Sequence, residues 1–192
     1  MTNFALFETA IGRCGIVWSE RGIAGVQLPE RSDAATRSRL LRRFSTARDG
    51  LPPAQVRRVI DDIVALLGGE RRDLSHVTID IGAMPAFHKR VYEVARAIPA
   101  GATLSYGELA ERLGDRNLAR DVADALSKNP CPIIVPCHRV MAAGGKPGGF
   151  SAPGGLATKL RLLTIEGAQP QARTEAPMLF DRLPLAAAKP RR

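Results

Sequence analysis

The sequence predicts a small α/β unit followed by a mostly helical one. Three observations carry this. Short apolar or alternating segments, punctuated by glycine, fill the first thirty residues. Two helix-length patterns follow, the second ending at Gly68-Gly69. Beyond residue 85 the patterns are short, helical in period and broken by Gly and Pro.

Residues 3–9 and 14–18 read as strands around the turn Ile11-Gly12-Arg13, and Ile23 to Leu28 as a third. Cys14 and Trp18 read as core residues. Ser32-Asp33 is placed to cap a helix running to about Phe44. Its Arg37, Arg39, Arg42 and Arg43 read as a solvated basic face in preference to a DNA contact. Pro52-Pro53 open a second helix, with Val56, Val59, Ile60, Ile63, Val64 and Leu67 at helical spacing. Val77, Ile79 and Ile81 alternate as a strand, and Gly82 to Pro85 is a linker. Residues 1–82 thus form one expected domain and 83–167 the next.

In the second domain Phe87, Val91, Val94 and Ile98 line one helix face, which stops at Pro99-Ala100-Gly101. Ser105 caps a helix from Tyr106 to Leu113, with Glu108 completing a capping box. After a turn at Gly114-Asp115, a helix spans Asn117 to Ser127 with Leu118, Val122, Ala125 and Leu126 inward. Two short helices around a glycine turn fit helix-turn-helix, and equally any αα-hairpin. Ile133, Ile134 and Val135 read as a short buried strand stopped by Pro136. Gly154-Gly155 lead into a last helix with Leu156, Leu160, Leu163 and, near its end, Glu166. Residues 168–192 lack periodicity and are expected to be a disordered basic tail.

The chain of 192 residues carries a formal charge of +9: +2 over residues 1–80, +4 over 81–167 and +3 over the tail. The excess in the later segments suits a polyanionic partner. Cys14, Cys131 and Cys137 make no disulfide framework and, without a secretory signal, fit a reducing cytoplasm. No apolar run approaches a membrane span. His76, His88 and His138 are scattered and no CxxC exists, so neither a metal nor a cofactor is expected.

Directly after Pro136 stand Cys137 and His138. Cys beside His is the pairing that yields a thiolate near neutral pH. On these two residues alone, an inert buried Cys beside a surface His is the commoner outcome. Pro136-Cys137-His138-Arg139-Val140 resembles the active-site signature of the O6-alkylguanine-DNA alkyltransferases. Around it lie Ser105-Tyr106-Gly107, Ala119-Arg120, Asn129-Pro130, Gly148-Gly149-Phe150-Ser151, Gly154-Gly155-Leu156-Ala157 and Glu166-Gly167, in the family's order. The resemblance is strong over residues 84–167, weaker over 1–83 and absent beyond Gly167.

The resemblance implies a ribonuclease H-like N-terminal domain and a winged-helix-like DNA-binding domain. It implies irreversible, single-use transfer of an alkyl group from guanine O6, and from thymine O4, to Cys137. His138 would take the thiol proton through a water, and Glu166 would orient the imidazole. Asn129 would hold the cysteine turn rigid, and Tyr106 would donate to guanine N3. Val140, Gly148, Phe150 and Ser151 would form the base pocket, with Ser151 donating to O6. Arg120 would replace the flipped-out base. Ser105, Ala119, Ala123, Lys128 and Arg139 would complete the contact with duplex DNA, met by a monomer through its minor groove. Some members bind zinc in the N-terminal domain; the ligands are missing here.

Two departures stand out. Asp121 and Asp124 follow Arg120 where small residues are usual, and Asp124 is placed to pair with Arg120. The loop Ser151-Ala152-Pro153-Gly154 is longer than in some relatives. Two rivals remain: a Cys-His hydrolase, which would turn over an ester, and a lesion-binding protein without chemistry, which would have no use for Cys137.

Overall fold

The computed structural model describes residues 1–168. The tail, apart from Ala168, lies outside them. Strands β1 (Asn3–Phe7), β2 (Cys14–Ser19) and β3 (Gly22–Gln27) form an antiparallel meander. After helix α1 (Asp33–Arg43) the two-residue β4 (Arg48–Asp49) joins β1 in parallel, giving the order β3-β2-β1-β4. Ser32 caps α1 by accepting from the Ala35 N–H at 3.2 Å. Two strand glycines explain how α1 lies on the sheet. A Cβ at Gly15 would sit 2.5 Å from Leu40, and one at Gly25 would collide with the Phe44 ring. Trp18 and Cys14 are buried in the core as the sequence suggests.

Helix α2 (Ala54–Leu67) buries Val56, Val59, Ile63, Leu66 and Leu67 while Val64 turns outward. The expected strand at Val77–Ile81 is reduced to one parallel bridge between Ile23 and Ile79. Turns on both sides leave room for only two hydrogen bonds, Ile23 N–H to Thr78 O and Asp80 N–H to Ile23 O.

Helix α3 (Ala86–Arg96) buries Val91, Tyr92 and Ala95, and the Tyr92 hydroxyl donates to the Ala125 carbonyl at 2.9 Å. The short strand β5 (Leu104–Ser105) leads into α4 (Tyr106–Arg112) through the expected capping box. Ser105 Oγ accepts from Glu108 N–H, and Glu108 Oε2 accepts from Ser105 N–H at 2.6 Å. The next helix begins later than its periodicity suggests. Asp115 caps a 3-10 turn at Arg116–Leu118, and α5 runs from Ala119 to Ser127 with Val122, Ala125 and Leu126 buried. Its α4 neighbour and the Gly114 turn complete a helical hairpin.

The Ile133-Ile134-Val135 run is no strand. It is a buried turn in which Pro132 and Val135 bridge each other and Val135 N–H donates to Cys131 O at 2.8 Å. Pro130, Pro132 and Pro136 remove the donors that a ladder needs. Ile133 adopts φ 76°, the sole positive φ of a non-glycine among the described residues. The turn is anchored to the sheet by Val26 N–H donating to Pro130 O. Strand β6 (Val140–Met141) then pairs in parallel with β5, so Tyr106 and the cysteine turn stand side by side. Helix α6 (Gly155–Ile165) buries Lys159, Leu162 and Leu163, whereas Leu156 and Leu160 face outward. One apolar core runs from β2 and α2 through α3 and α5 to Leu162. No helix among the described residues is long and apolar enough to cross a membrane.

Candidate active site

Pro136 closes the buried turn and Cys137 opens a 3-10 turn ending at Arg139. Asn129 holds the turn from inside. Its Nδ2 donates to Val135 O at 2.8 Å and lies 3.3 Å from Cys137 Sγ, while its Oδ1 accepts from Cys131 N–H at 2.9 Å. Burial pushes the Cys137 thiol up; the Asn129 amide, the Lys159 charge and the main-chain N–H groups of Cys137 and His138 oppose it.

His138 is fully buried, with Nε2 2.9 Å from Glu166 Oε1. Arg139 grips the same carboxylate twice, Nε to Oε2 and Nη2 to Oε1, both at 2.8 Å. Burial alone would raise the Glu166 carboxyl, but the hydrogen bonds and charges of His138 and Arg139 outweigh it and hold it at about 2. An ionised Glu166 fixes the tautomer: Nε2 donates, and Nδ1 becomes an acceptor. That Nδ1 is buried and has no partner among the described residues. Burial lowers the His138 pKa, and Glu166 partly restores it. The result is a neutral imidazole with an acceptor nitrogen, on the residue that follows the thiol in the chain.

Cys137 also lines a cavity of about 510 Å³ with Tyr106, Ala123, Gly148, Phe150 and Ser151. Burial raises the Tyr106 hydroxyl, so it stays protonated and able to donate. Behind it lies Lys159, fully buried, with Nζ 5.9 Å from the Tyr106 ring centroid and donating to Val140 O at 2.5 Å. Burial brings this ammonium down to about 8, and the Cys137 charge works in the opposite direction.

Residues 86–168 match the family described as 6-O-methylguanine DNA methyltransferase, DNA binding domain. A methylated-DNA–protein-cysteine methyltransferase of Methanothermobacter thermautotrophicus is 35% identical over 80% of this chain and 78% of its own length. The chain belongs to this methyltransferase family. It spans about half the length of some other relatives, 45% of the Escherichia coli bifunctional transcriptional activator/DNA repair enzyme Ada. The fold is similar to that of Mycobacterium tuberculosis OGT in complex with DNA. That match has a TM-score of 0.69 and 29% identity, over 86% of this chain and 92% of the other.

Of the candidate residues, the structure brings together Cys137, His138, Glu166, Asn129 and Tyr106, with Gly148, Phe150 and Ser151 across the cavity. Val140 does not line that cavity. Its side chain is buried and its carbonyl is taken by Lys159. Ser151 Oγ donates to Ser127 O at 3.0 Å and must turn to reach a ligand. Arg139 is a correction. It is 6% exposed and consumed by Glu166 and the Ile98 carbonyl, so it is no surface DNA contact. Asp124 is another: it pairs with Lys128 at 2.7 Å rather than with Arg120. Arg120 and Lys128 are exposed on α5 and at its end, Ser105 caps α4, and Ala119 and Ala123 are partly exposed on α5. Lys159 is a site residue that the sequence signals only weakly, through positions 159, 162 and 163 sharing the spacing of a buried helix face. Among the described residues no group of His, Cys, Asp and Glu could hold a metal ion.

Proposed function

We propose that the chain repairs DNA by moving an alkyl group from guanine O6, and from thymine O4, onto Cys137 in one irreversible step. The observation that carries this reading is that His138 Nδ1 has no partner among the described residues while Nε2 is pinned by Glu166. In this reading the Cys137 proton passes through a water to His138 Nδ1. Glu166 stabilises the imidazolium that results. The thiolate attacks the alkyl carbon; the C–S bond forms, the C–O6 bond breaks, and the electron pair stays on the guanine. Tyr106 neutralises that base by donating to N3. The Lys159 ammonium favours both the thiolate and a polarised phenol. Nothing in the site cleaves a thioether, so each molecule acts once.

The finer architecture belongs to the same proposal. A ribonuclease H-like unit at 1–82 supports a winged-helix-like unit at 83–167, which docks as a monomer in the minor groove. Arg120 enters the stack in place of the flipped nucleotide, flanked by Ser105, Ala119, Ala123 and Lys128. Mixing the chain with excess O6-methylguanine duplex tests the reading: transfer stops at one methyl per chain. Continued turnover, or no transfer at all, overturns it.

A further inference from the structure

Cys137 stands between two cavities. The first faces Tyr106. The second, of about 370 Å³, reaches away to β3 and α1, where Gln27, Arg39 and Arg43 join Lys128 and Pro132 in its wall. Leu126, Phe150 and Ser151 line both. Every charged residue lining the second cavity is basic: Arg39, Arg43 and Lys128.

Two of these cations have partners. Arg39 pairs with Glu30 at 3.0 Å and Lys128 with Asp124 at 2.7 Å. Arg43 has no carboxylate partner among the described residues. It donates one long hydrogen bond, Nη2 to Asn129 O at 3.4 Å, and its guanidinium lies 5.6 Å from the Phe44 ring centroid. Asn129 therefore separates the guanidinium from the thiol by the width of one residue: its carbonyl meets Arg43 and its side-chain amide meets Sγ at 3.3 Å.

The chemistry of displacement makes this arrangement useful. Attack at the carbon bound to O6 runs in line with the breaking bond, so anything beyond that carbon projects sideways and needs its own space. A methyl group needs none. We propose that the second cavity receives O6 substituents ending in a carboxylate, with Arg43 as their anchor. The inference rests on the alkyl-transfer reading above. A planar guanidinium with free donors matches a carboxylate in two-point geometry. Gln27 brings no competing charge: it is buried, its amide donates to Leu28 O, and its solvent-shielded Oε1 has no partner among the described residues. In the step itself the C–S bond forms, the C–O6 bond breaks, guanine takes the electron pair, and the carboxylate stays ionised. The product is a carboxyalkyl thioether at Cys137.

The test uses free bases, which carry no phosphate to occupy Arg43. O6-(3-carboxypropyl)guanine is compared with O6-(4-oxopentyl)guanine, its uncharged isostere, by intact-mass rates of Cys137 alkylation. The full chain should favour the carboxylate by about tenfold, the scale of a charge-assisted hydrogen bond. Arg43→Gln should bring that ratio close to one, and Arg43→Lys should recover part of it. The ratio is internal to each variant, so a loss of folded protein cancels. No preference in the unaltered chain, or a preference that survives Arg43→Gln, overturns the proposal. Survival together with weaker duplex binding would make Arg43 a phosphate contact instead. Transfer from O6-methylguanine duplex is run in parallel. If it succeeds while the preference is absent, only this inference falls; if it fails, both readings fall.

Discussion

Cys131 and Cys137 lie at the two ends of one buried turn, and only one is equipped to react. Burial dominates at both thiols. Cys131 is pushed up to about 12, and among the described residues its sulfur has one hydrogen-bonding contact, the Ile23 carbonyl at 3.8 Å. Cys137 is raised by the same burial but has the Asn129 amide, the Lys159 charge and two main-chain N–H groups against it, with His138 next in the chain. A thiol's position in the core does not decide its chemistry; the donors aimed at its sulfur do.

Exchanging the two ends is the most severe way to break this comparison. Cys137→Ser should abolish methyl transfer, because an alkoxide is far harder to form than a thiolate, while Cys131→Ala should retain it. Transfer to O6-methylguanine duplex, followed by intact mass, measures both.

Glu166→Gln attacks the same end through its support. It leaves the Arg139 guanidinium buried without its carboxylate, which costs about 3–5 kcal/mol in denaturant unfolding. Neutral-pH alkylation of Cys137 by a haloacetamide should slow by an amount that overlaps with that of His138→Ala, since both act on one proton path. Independent losses would make Glu166 a structural charge alone. The pH dependence has a definite sign. Glu166 is held at about 2 against an ordinary 4.5, so its stabilisation is full above 4.5 and drains away as pH falls towards 2. The glutamine variant should lack that component of acid unfolding.

Lys159→Met separates reactivity from stability. The ammonium sits at about 8 against an ordinary 10.5, so burial of the charge opposes folding below pH 8 and the penalty disappears as pH rises towards 10.5. The methionine variant should therefore melt no lower than the parent at pH 7, yet react more slowly at Cys137. A lower melting point with unchanged reactivity would reduce Lys159 to packing.

The smallest effects sharpen the picture at the DNA face. The exposed Asp124–Lys128 pair is worth only about 0.3–0.5 kcal/mol. Asp124→Ala should free Lys128 and tighten duplex binding slightly, and only at low salt. Arg120→Ala should slow repair of duplex much more than reaction with free O6-benzylguanine, which needs no flipping; equal slowing would place the arginine in the pocket.

What could be read from the sequence follows the range of the forces involved. The Ser105–Glu108 capping box spans four residues and was legible from them. The signature at Cys137, with Asn129 and Glu166 at their distances, also marked the site. Ile133-Ile134-Val135 misled because its β-branched side chains favour a strand, while the surrounding prolines and the positive φ of Ile133 dictate a turn. Arg139 could not be assigned from sequence, since its partner stands 27 residues away and claims the guanidinium only after α6 has docked. Lys159 looked like an ordinary helix lysine, and only the core around it shows otherwise.

The difference between the two ends of the turn meets its most direct test in peptide mapping after reaction with O6-methylguanine duplex. A methylated peptide containing Cys137 is expected, with unmodified peptides for Cys131 and Cys14. A methyl on Cys131, or one shared between the two thiols, would contradict that expectation.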